Sequence, residues 1–173
     1  MLSVLIGGFI IVLTGIFDDI KPMSAKVKFL LQVIAACVVV FYGQIVLSNF
    51  DLFGIPFNLP EPVNYAVTIF FIVGLTNAIN LIDGLDGLAA GVSSIYFATI
   101  AFIACVLNRN QGLDIMLSVI MLGSTLGFLL HNFNPAKIFM GDSGSAFLGF
   151  ALACISIEGM FKGYAAISFA VPL

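Results

Sequence analysis

Long apolar runs alternate with short polar connections along the whole chain. A helix needs about 20 such residues to cross a bilayer, and the runs are too evenly apolar for the alternating strands of a membrane barrel. The pattern therefore predicts an all-α, polytopic membrane helix bundle with about six complete transmembrane helices and a truncated seventh. The predicted spans are 2–17, 29–47, 63–82, 88–107, 113–131 and 143–160, and the seventh begins near 164.

The composition agrees with a chain that faces lipid. Of the 173 residues, 61% are hydrophobic and 9% are charged, whereas a soluble domain has about 25% charged residues. The chain has no basic patch, so nucleic acid is not an expected partner. The cysteines lie inside apolar runs, at spacings that predict neither a zinc site nor a disulfide framework.

Both ends of the chain fall within apolar runs, which open at Met1 and stop at Leu173. The first run has no basic start and no small-residue cleavage site, so we interpret it as a membrane helix rather than a signal peptide. We expect residues 1–173 to form a single integral membrane domain that is truncated at both ends.

The basic residues indicate how the chain is oriented. Alternate connections share one side of the membrane, and one set contains Lys21, Lys26, Lys28 and Lys137. The other set contains only Arg109 and Lys162. Basic residues favour the cytoplasmic side. We therefore expect a multi-pass protein of the plasma membrane, with segments 18–28, 83–87 and 132–142 on its cytoplasmic face.

That same face collects acidic residues from three separated stretches. Five of the nine acids in the chain belong to it: Asp18, Asp19, Asp83, Asp86 and Asp142. Adjacent carboxylates beside hydrocarbon are costly, and such a pair suits a metal, a phosphate network or proton transfer. The simpler interpretation of Asp18 and Asp19 is a solvated helix end.

In the second stretch a polar residue recurs every third position, from Asn77 through Asn80 and Asp83 to Asp86. On a helix this spacing gives one drifting polar stripe within an apolar span. The acids are not at the alternate positions of an EF-hand loop. The alternative interpretation is a stripe that holds helices together.

The third stretch contains Pro135, which breaks a helix, and then residues 141–145, which open the next one. A helix start presents free N–H groups and favours phosphate. Ordinary N-capping by Asp142 or Ser143 is the alternative. His131, at the end of the preceding run, is interpreted as interfacial rather than catalytic.

Carboxylates, lysines and a phosphate cradle at one membrane face indicate phosphoryl transfer. Pyrophosphate is strongly negative, so carboxylates near it imply a bridging divalent cation. A carboxylate-rich site without soft ligands favours Mg²⁺ or Mn²⁺ over zinc.

Three motifs then resemble the polyprenyl-phosphate N-acetylhexosamine-1-phosphate transferases of glycosyltransferase family 4. They are FDD at 17–19, NxxNxxDGxDGLAAG at 77–91 and NFNPAKIFMGDSGS at 132–145. The residues of the second and third motifs are most similar to those of the branch that takes UDP-N-acetylglucosamine. Enzymes of that branch begin the synthesis of wall teichoic acid, O-antigen (lipopolysaccharide) and related glycans. Some family members carry a further acidic residue after the first motif, at the position that Pro22 occupies in this chain. The early helices and the later histidine-rich loop of the family are absent, which implies that this stretch alone is inactive.

The resemblance implies a role for each motif residue. Asp142 and Asp83 are the implied Mg²⁺ ligands, with Mn²⁺ as an alternative ion. Asp18, Asp19 and Asp83 are the implied catalytic residues. The implied substrate-binding residues are Asn77, Asn80, Asp86, Asn132, Phe139, Lys28 and Lys137, with Lys26 as a further phosphate neighbour. Among them, Asn132 and Phe139 are the implied uracil contacts.

The implied reaction transfers N-acetylglucosamine-1-phosphate from a UDP-sugar to undecaprenyl phosphate and releases UMP. One alternative is the sister activity, phospho-N-acetylmuramoyl-pentapeptide transferase. A cation-coupled transporter is another, but its carboxylates would lie near the bilayer midplane. A non-catalytic glycan-lipid binding protein would not need paired carboxylates. The sequence leaves the oligomeric state open, a homodimer included.

Overall fold

The computed structural model describes residues 1–47, 50–52, 55–57, 60–106 and 113–160. Over these residues the chain forms α1 (Leu2–Ile20), α2 (Ala25–Cys37), α3 (Glu61–Ile82), α4 (Leu88–Val106), α5 (Leu113–Asn132) and α6 (Gly141–Met160). A π-helical turn, Val38–Tyr42, continues α2. An antiparallel hairpin follows it, formed by the short strands β1 (Phe50–Leu52) and β2 (Ile55–Phe57). The predicted all-α bundle is confirmed, and the hairpin is an addition to it.

Each of the predicted spans coincides with one helix, and the largest difference is in the second. That span was expected at 29–47, but α2 begins at Ala25 and its continuation ends at Tyr42. The prediction assigned Lys26 and Lys28 to the connection 18–28 rather than to the helix. In the structure Lys28 lies inside the helix, where two carboxylates neutralise it. The expected seventh span lies outside the described residues.

Among the described residues, four helical stretches are long and apolar enough to cross a membrane: Leu2–Ile20, Ala25–Tyr42, Glu61–Ile82 and Ile115–Asn132. Within α4 the stretch Leu88–Ile103 is apolar but shorter. The last helix, α6, is not among the stretches found within the described residues. By length and composition the chain is a membrane protein, and four of the expected spans meet this criterion within the part of the chain that the structure describes.

The least exposed helix, α6, packs against α1, α3, α4 and α5. Small residues permit close approach on two sides of it. A Cβ on Gly149 would come within 2.6 Å of the Leu75 carbonyl oxygen in α3, and a Cβ on Gly15 in α1 would overlap the Ser143 backbone. Such contacts are typical of membrane helix packing. The Gly15 contact fixes the first turn of α6 beside the C-terminal part of α1, and the Gly149 contact fixes a later turn of α6 against α3.

Candidate active site

A charged centre occupies the end of the bundle where α1 ends and α2 and α6 begin. The Lys28 ammonium lies 3.0 Å from Asp18 Oδ2 and 2.5 Å from Asp142 Oδ2. The Asp18 and Lys28 side chains are only 12% and 17% exposed, whereas Asp142 is 35% exposed. A shielded cation held between two carboxylates is a strong electrostatic arrangement. We call Asp18, Asp19, Lys28, Asn80 and Asp142 the carboxylate centre.

The second oxygen of Asp142 is held from α3. Asn80 Nδ2 donates to Asp142 Oδ1 at 2.8 Å and to Ser145 Oγ at 2.7 Å. Ser145 in turn donates to the carbonyl of Gly141. Both Asp142 oxygens are therefore oriented by side chains from other helices, and the carboxylate does not cap its own helix. The alternative interpretation, in which the Asp142 side chain is an ordinary N-cap of α6, is therefore wrong.

The cap of α6 comes instead from α1. Asp19 Oδ1 accepts the N–H of Asp142 at 2.9 Å, and its Oδ2 accepts that of Ser143 at 3.2 Å. A carboxylate is favourable at a helix start because of the helix dipole. Gly141 lies at φ +67°, and a Cβ there would be 3.0 Å from Asp19 Oδ2. The predicted phosphate cradle at this helix start is thus occupied by a carboxylate of the protein.

Asp83 follows α3 and differs from its neighbours in having no hydrogen-bond donor among the described residues. Its partial burial, and then the negative charge of Asp142, raise the pKa of the Asp83 carboxyl above its ordinary value. Two carboxylates that repel each other, one of them without a donor, form a site where a cation is favourable.

The described residues contain no group of three or more His, Cys, Asp and Glu side chains that could hold a metal ion. Zinc sites need three or four such ligands. Mg²⁺ keeps several waters and needs one or two carboxylates plus substrate phosphates. Asp83 and Asp142 therefore fit a hard divalent cation and do not fit zinc.

A second cluster joins the loop after α3 to the loop after α5. Asp86 Oδ2 accepts Asn134 Nδ2 at 3.1 Å and the Ala136 N–H at 3.0 Å. Asn132 Oδ1 accepts the Gly87 N–H at 3.0 Å, and its Nδ2 donates to the Ile138 carbonyl at 2.8 Å. We call these contacts the loop clasp. They hold the segment that ends in Phe139, whose side chain is 76% exposed.

The predicted site residues thus divide by their surroundings. Asp86 and Asn132, the latter 4% exposed, are engaged within the protein. Phe139 is available to a ligand. Lys26 and Lys137 are exposed and form no ion pair with a described residue.

One polar residue near the site was missed by the sequence interpretation. Gln32 in α2 is 2% exposed, and its Oε1 accepts Asn77 Nδ2 at 2.6 Å. The predicted substrate residue Asn77 therefore points to a neighbouring helix. The available signal was a single glutamine inside an apolar span, four residues after Lys28.

The fold and these contacts define an integral membrane protein with a carboxylate-rich polar site at one end of a helix bundle. Acids and amides from all three motif segments meet there, as the sequence predicted. The model of glycosyl transferase family 4 matches residues 1–160. The chain belongs to glycosyl transferase family 4.

Curated relatives agree with this membership. The chain is 47% identical to the probable undecaprenyl-phosphate N-acetylglucosaminyl 1-phosphate transferase of Bacillus subtilis, over all of the chain and 48% of that protein. It is 38% identical to the decaprenyl-phosphate N-acetylglucosaminephosphotransferase of Mycobacterium tuberculosis, over 90% of the chain and 41% of the relative.

A relative from the sister activity also matches. The chain is 45% identical to the phospho-N-acetylmuramoyl-pentapeptide-transferase of Staphylococcus aureus, over 84% of the chain and 49% of that protein. The chain thus spans about half the length of the curated relatives it matches.

Proposed function

We propose that the protein transfers N-acetylglucosamine-1-phosphate from a UDP-sugar to undecaprenyl phosphate at the cytoplasmic face of the plasma membrane. This is the first membrane step in making a cell-wall or surface glycan. The activities for which the Bacillus and Mycobacterium relatives are named support this assignment. The observation that carries it is Lys28, held between Asp18 and Asp142 at the end of the bundle.

In the proposed reaction an oxygen of the lipid phosphate attacks the phosphorus that is linked to the sugar. The bond from this phosphorus to the bridging oxygen breaks, and that oxygen leaves with UMP. The product is a lipid pyrophosphoryl sugar. Such a transfer depends on positioning and on charge neutralisation more than on covalent catalysis by the protein.

Lys28 is suited to the acceptor side of this reaction. A lipid phosphate that approaches Asp18 and Asp142 is repelled by their negative charges, which the Lys28 ammonium between the two carboxylates partly neutralises. Asp18 orients that ammonium, whose positive charge favours the dianionic form of the acceptor, so the proton of a monoanionic acceptor is released to water. Asp19 belongs to the same motif as Asp18, but its carboxylate accepts the backbone N–H groups of Asp142 and Ser143. We therefore propose that Asp19 positions Asp142.

We assign Mg²⁺, with Mn²⁺ as the alternative, to Asp142 and Asp83. When bound, the ion neutralises charge on the pyrophosphate and on the departing phosphate. Asn80 fixes the orientation of the Asp142 carboxylate through its bond to Oδ1. The half-buried Asp83 contributes a charge that no described donor compensates, which favours a cation there.

The nucleotide is assigned to the loop clasp. The exposed ring of Phe139 offers a stacking surface for uracil. Asn132 can reach the base through the second N–H of its Nδ2 or the remaining lone pair of its Oδ1, because its other two positions bond Ile138 and Gly87. Asp86 orders the same loop, and the exposed Lys137 is a further phosphate neighbour.

The sister activity, with a UDP-N-acetylmuramoyl-pentapeptide donor, is the second candidate, and the Staphylococcus relative supports it. A cation-coupled transporter is disfavoured by where the acids lie. Asp18 is in the last turn of α1, Asp83 directly follows α3, and Asp142 is in the first turn of α6. None of these positions is at the middle of a span.

Asp142→Asn in the natural full-length protein tests the proposed function. Losing one charged ligand should lower turnover by about 10²–10³-fold, with little change in thermal stability. UMP release is measured across a Mg²⁺ titration, with UDP-N-acetylglucosamine and UDP-N-acetylmuramoyl-pentapeptide as separate donors. Ser94→Ala, which removes a buried bond to Thr125 away from the site, is the control. Wild-type rates and unchanged Mg²⁺ dependence in Asp142→Asn would refute the metal assignment.

A further inference from the structure

A pair of side-chain amides joins α2 to α3 inside the membrane-spanning part of the bundle. Asn77 Nδ2 donates to Gln32 Oε1 at 2.6 Å, and Gln32 Nε2 lies 3.4 Å from Asn77 Oδ1. Asn77 also donates to the Val73 carbonyl in its own helix. Gln32 is 2% exposed, so neither water nor lipid can replace its partner.

This amide pair lies one helical turn from the carboxylate centre on both helices. Gln32 follows Lys28 by four residues, and Asn77 precedes Asn80 by three. Residues three or four apart share one face of a helix. The face of α2 that presents Lys28 to Asp142 is thus the face that Gln32 fastens to α3. Asn80, on the same face of α3 as Asn77, bonds Asp142 from the other side.

The apolar contacts of these helices do not select one register as sharply as the amides do. Both helices are apolar spans, and sliding or rotating an apolar surface changes its packing gradually. An amide pair is different, because any other register leaves buried donors and acceptors without partners, which is unfavourable. In coiled coils, a single buried polar residue fixes the register of the helices in this way.

We propose that Gln32 is a positioning residue of the active site. By pairing with Asn77 it sets the register of α2 against α3 and so holds the Lys28 ammonium between Asp18 and Asp142. Gln32 touches neither substrate nor metal in this role. The expected effect on kcat rests on the proposed function, whereas the expected effect on the order of the carboxylate centre does not.

Three variants of the full-length protein separate positioning from general stability. Gln32→Leu keeps the volume but removes the amide. The double variant Gln32→Asn/Asn77→Gln exchanges the two side chains. It keeps both amides, and the combined length of the two side chains is unchanged. Tyr96→Phe is the matched control, since it removes a buried hydroxyl that bonds Ser156 between α4 and α6, away from the centre.

The first readout is kinetic. We expect Gln32→Leu to lower kcat by about 10–100-fold, the usual effect of removing a supporting contact, with a smaller change in the KM for the UDP-sugar. The double variant should recover most of this loss. Tyr96→Phe should lower the melting temperature and leave kcat near wild type.

The second readout does not require activity. The Met23 N–H donates to Asp18, and the N–H groups of Asp142 and Ser143 donate to Asp19, so their hydrogen exchange reports the order of the centre. We expect exchange in the peptides that contain them to be faster in Gln32→Leu. Exchange should be slow again in the double variant and unchanged in Tyr96→Phe.

The outcomes are distinguishable. If Gln32→Leu only lowers the melting temperature, with the exchange of these peptides as slow as in Tyr96→Phe, Gln32 is merely structural and the inference is wrong. If the wild-type protein releases no UMP, the proposed function fails. The exchange result still decides the role of Gln32 in that case.

Discussion

The carboxylate of Asp19 accepts the backbone N–H of Asp142 at 2.9 Å, so the last turn of α1 caps the first turn of α6. The two residues are 123 positions apart in the chain. The contact fixes the backbone of Asp142, while Lys28 and Asn80 orient its side chain. One residue is thus held at both backbone and carboxylate, as expected for a group whose position matters to chemistry.

The cap predicts how two substitutions at Asp19 differ. Asp19→Ala removes both acceptors and should cost about 1 kcal/mol of stability, the usual loss for an N-cap. Asp19→Asn keeps one acceptor and should remain closer to wild type in melting temperature and in turnover. Thermal unfolding and UMP release are measured on both variants. If the two variants lost activity equally while both kept wild-type stability, Asp19 would be a reacting group rather than a cap.

Asp83→Asn should affect stability and activity in opposite directions. A carboxyl with a raised folded-state pKa contributes most to stability at acid pH, and that contribution is lost as pH rises through the folded pKa. At neutral pH without metal, the variant should therefore be at least as stable as wild type, and this advantage should vanish below about pH 4. Its turnover should fall by about 10²-fold or more.

Thermal unfolding from pH 3.5 to 8, with and without Mg²⁺, measures this effect. Asp86→Asn is the control in the same loop. Because Asp86 already accepts two hydrogen bonds, its amide variant should gain no stability at neutral pH. A lower melting temperature of metal-free Asp83→Asn at neutral pH would contradict the assignment.

Phe139→Leu should weaken the binding of the uridine nucleotide without weakening the fold. The ring is 76% exposed, so its loss leaves no cavity. Stacking of a base on an aromatic ring is worth about 1–3 kcal/mol, which corresponds to roughly 5–150-fold in affinity. Calorimetry with UDP measures the change. Phe133→Leu, at a ring of similar exposure in the same loop, should bind UDP as wild type does, and equal losses in both variants would rule out stacking by Phe139.

The sidedness of the site can be tested by labelling single cysteines. Ser24 is exposed, and its side chain makes no capping bond to α2, so Ser24→Cys should be tolerated. In a background with the native cysteines replaced by alanine, this position should be protected from an impermeant reagent in intact cells. Asn58→Cys, outside the described residues, should be labelled. Labelling of Ser24→Cys from outside would invert the proposed topology.

The sequence by itself determined the helices, the family and the end of the bundle at which the site lies. These follow from local or additive properties. Apolar run length sets a membrane helix, Pro135 and Gly141 mark where one helix stops and the next begins, and short connections force alternate segments to one side. Asp18, Asn80 and Asp142 could therefore be assigned to one site before their contacts were known.

Only the tertiary structure decided which atoms meet at that site. A uniformly apolar helix gives little indication of its rotation or register, so no pattern could say that Lys28 lies between Asp18 and Asp142. For the same reason the sequence could not distinguish Asp19, which caps α6, from its neighbour Asp18, which pairs with Lys28. Gln32 remained hidden in an apolar run because its importance depends on Asn77, 45 residues away on another helix. Side-chain contacts between helices depend on the packing of all of them, which local patterns do not specify.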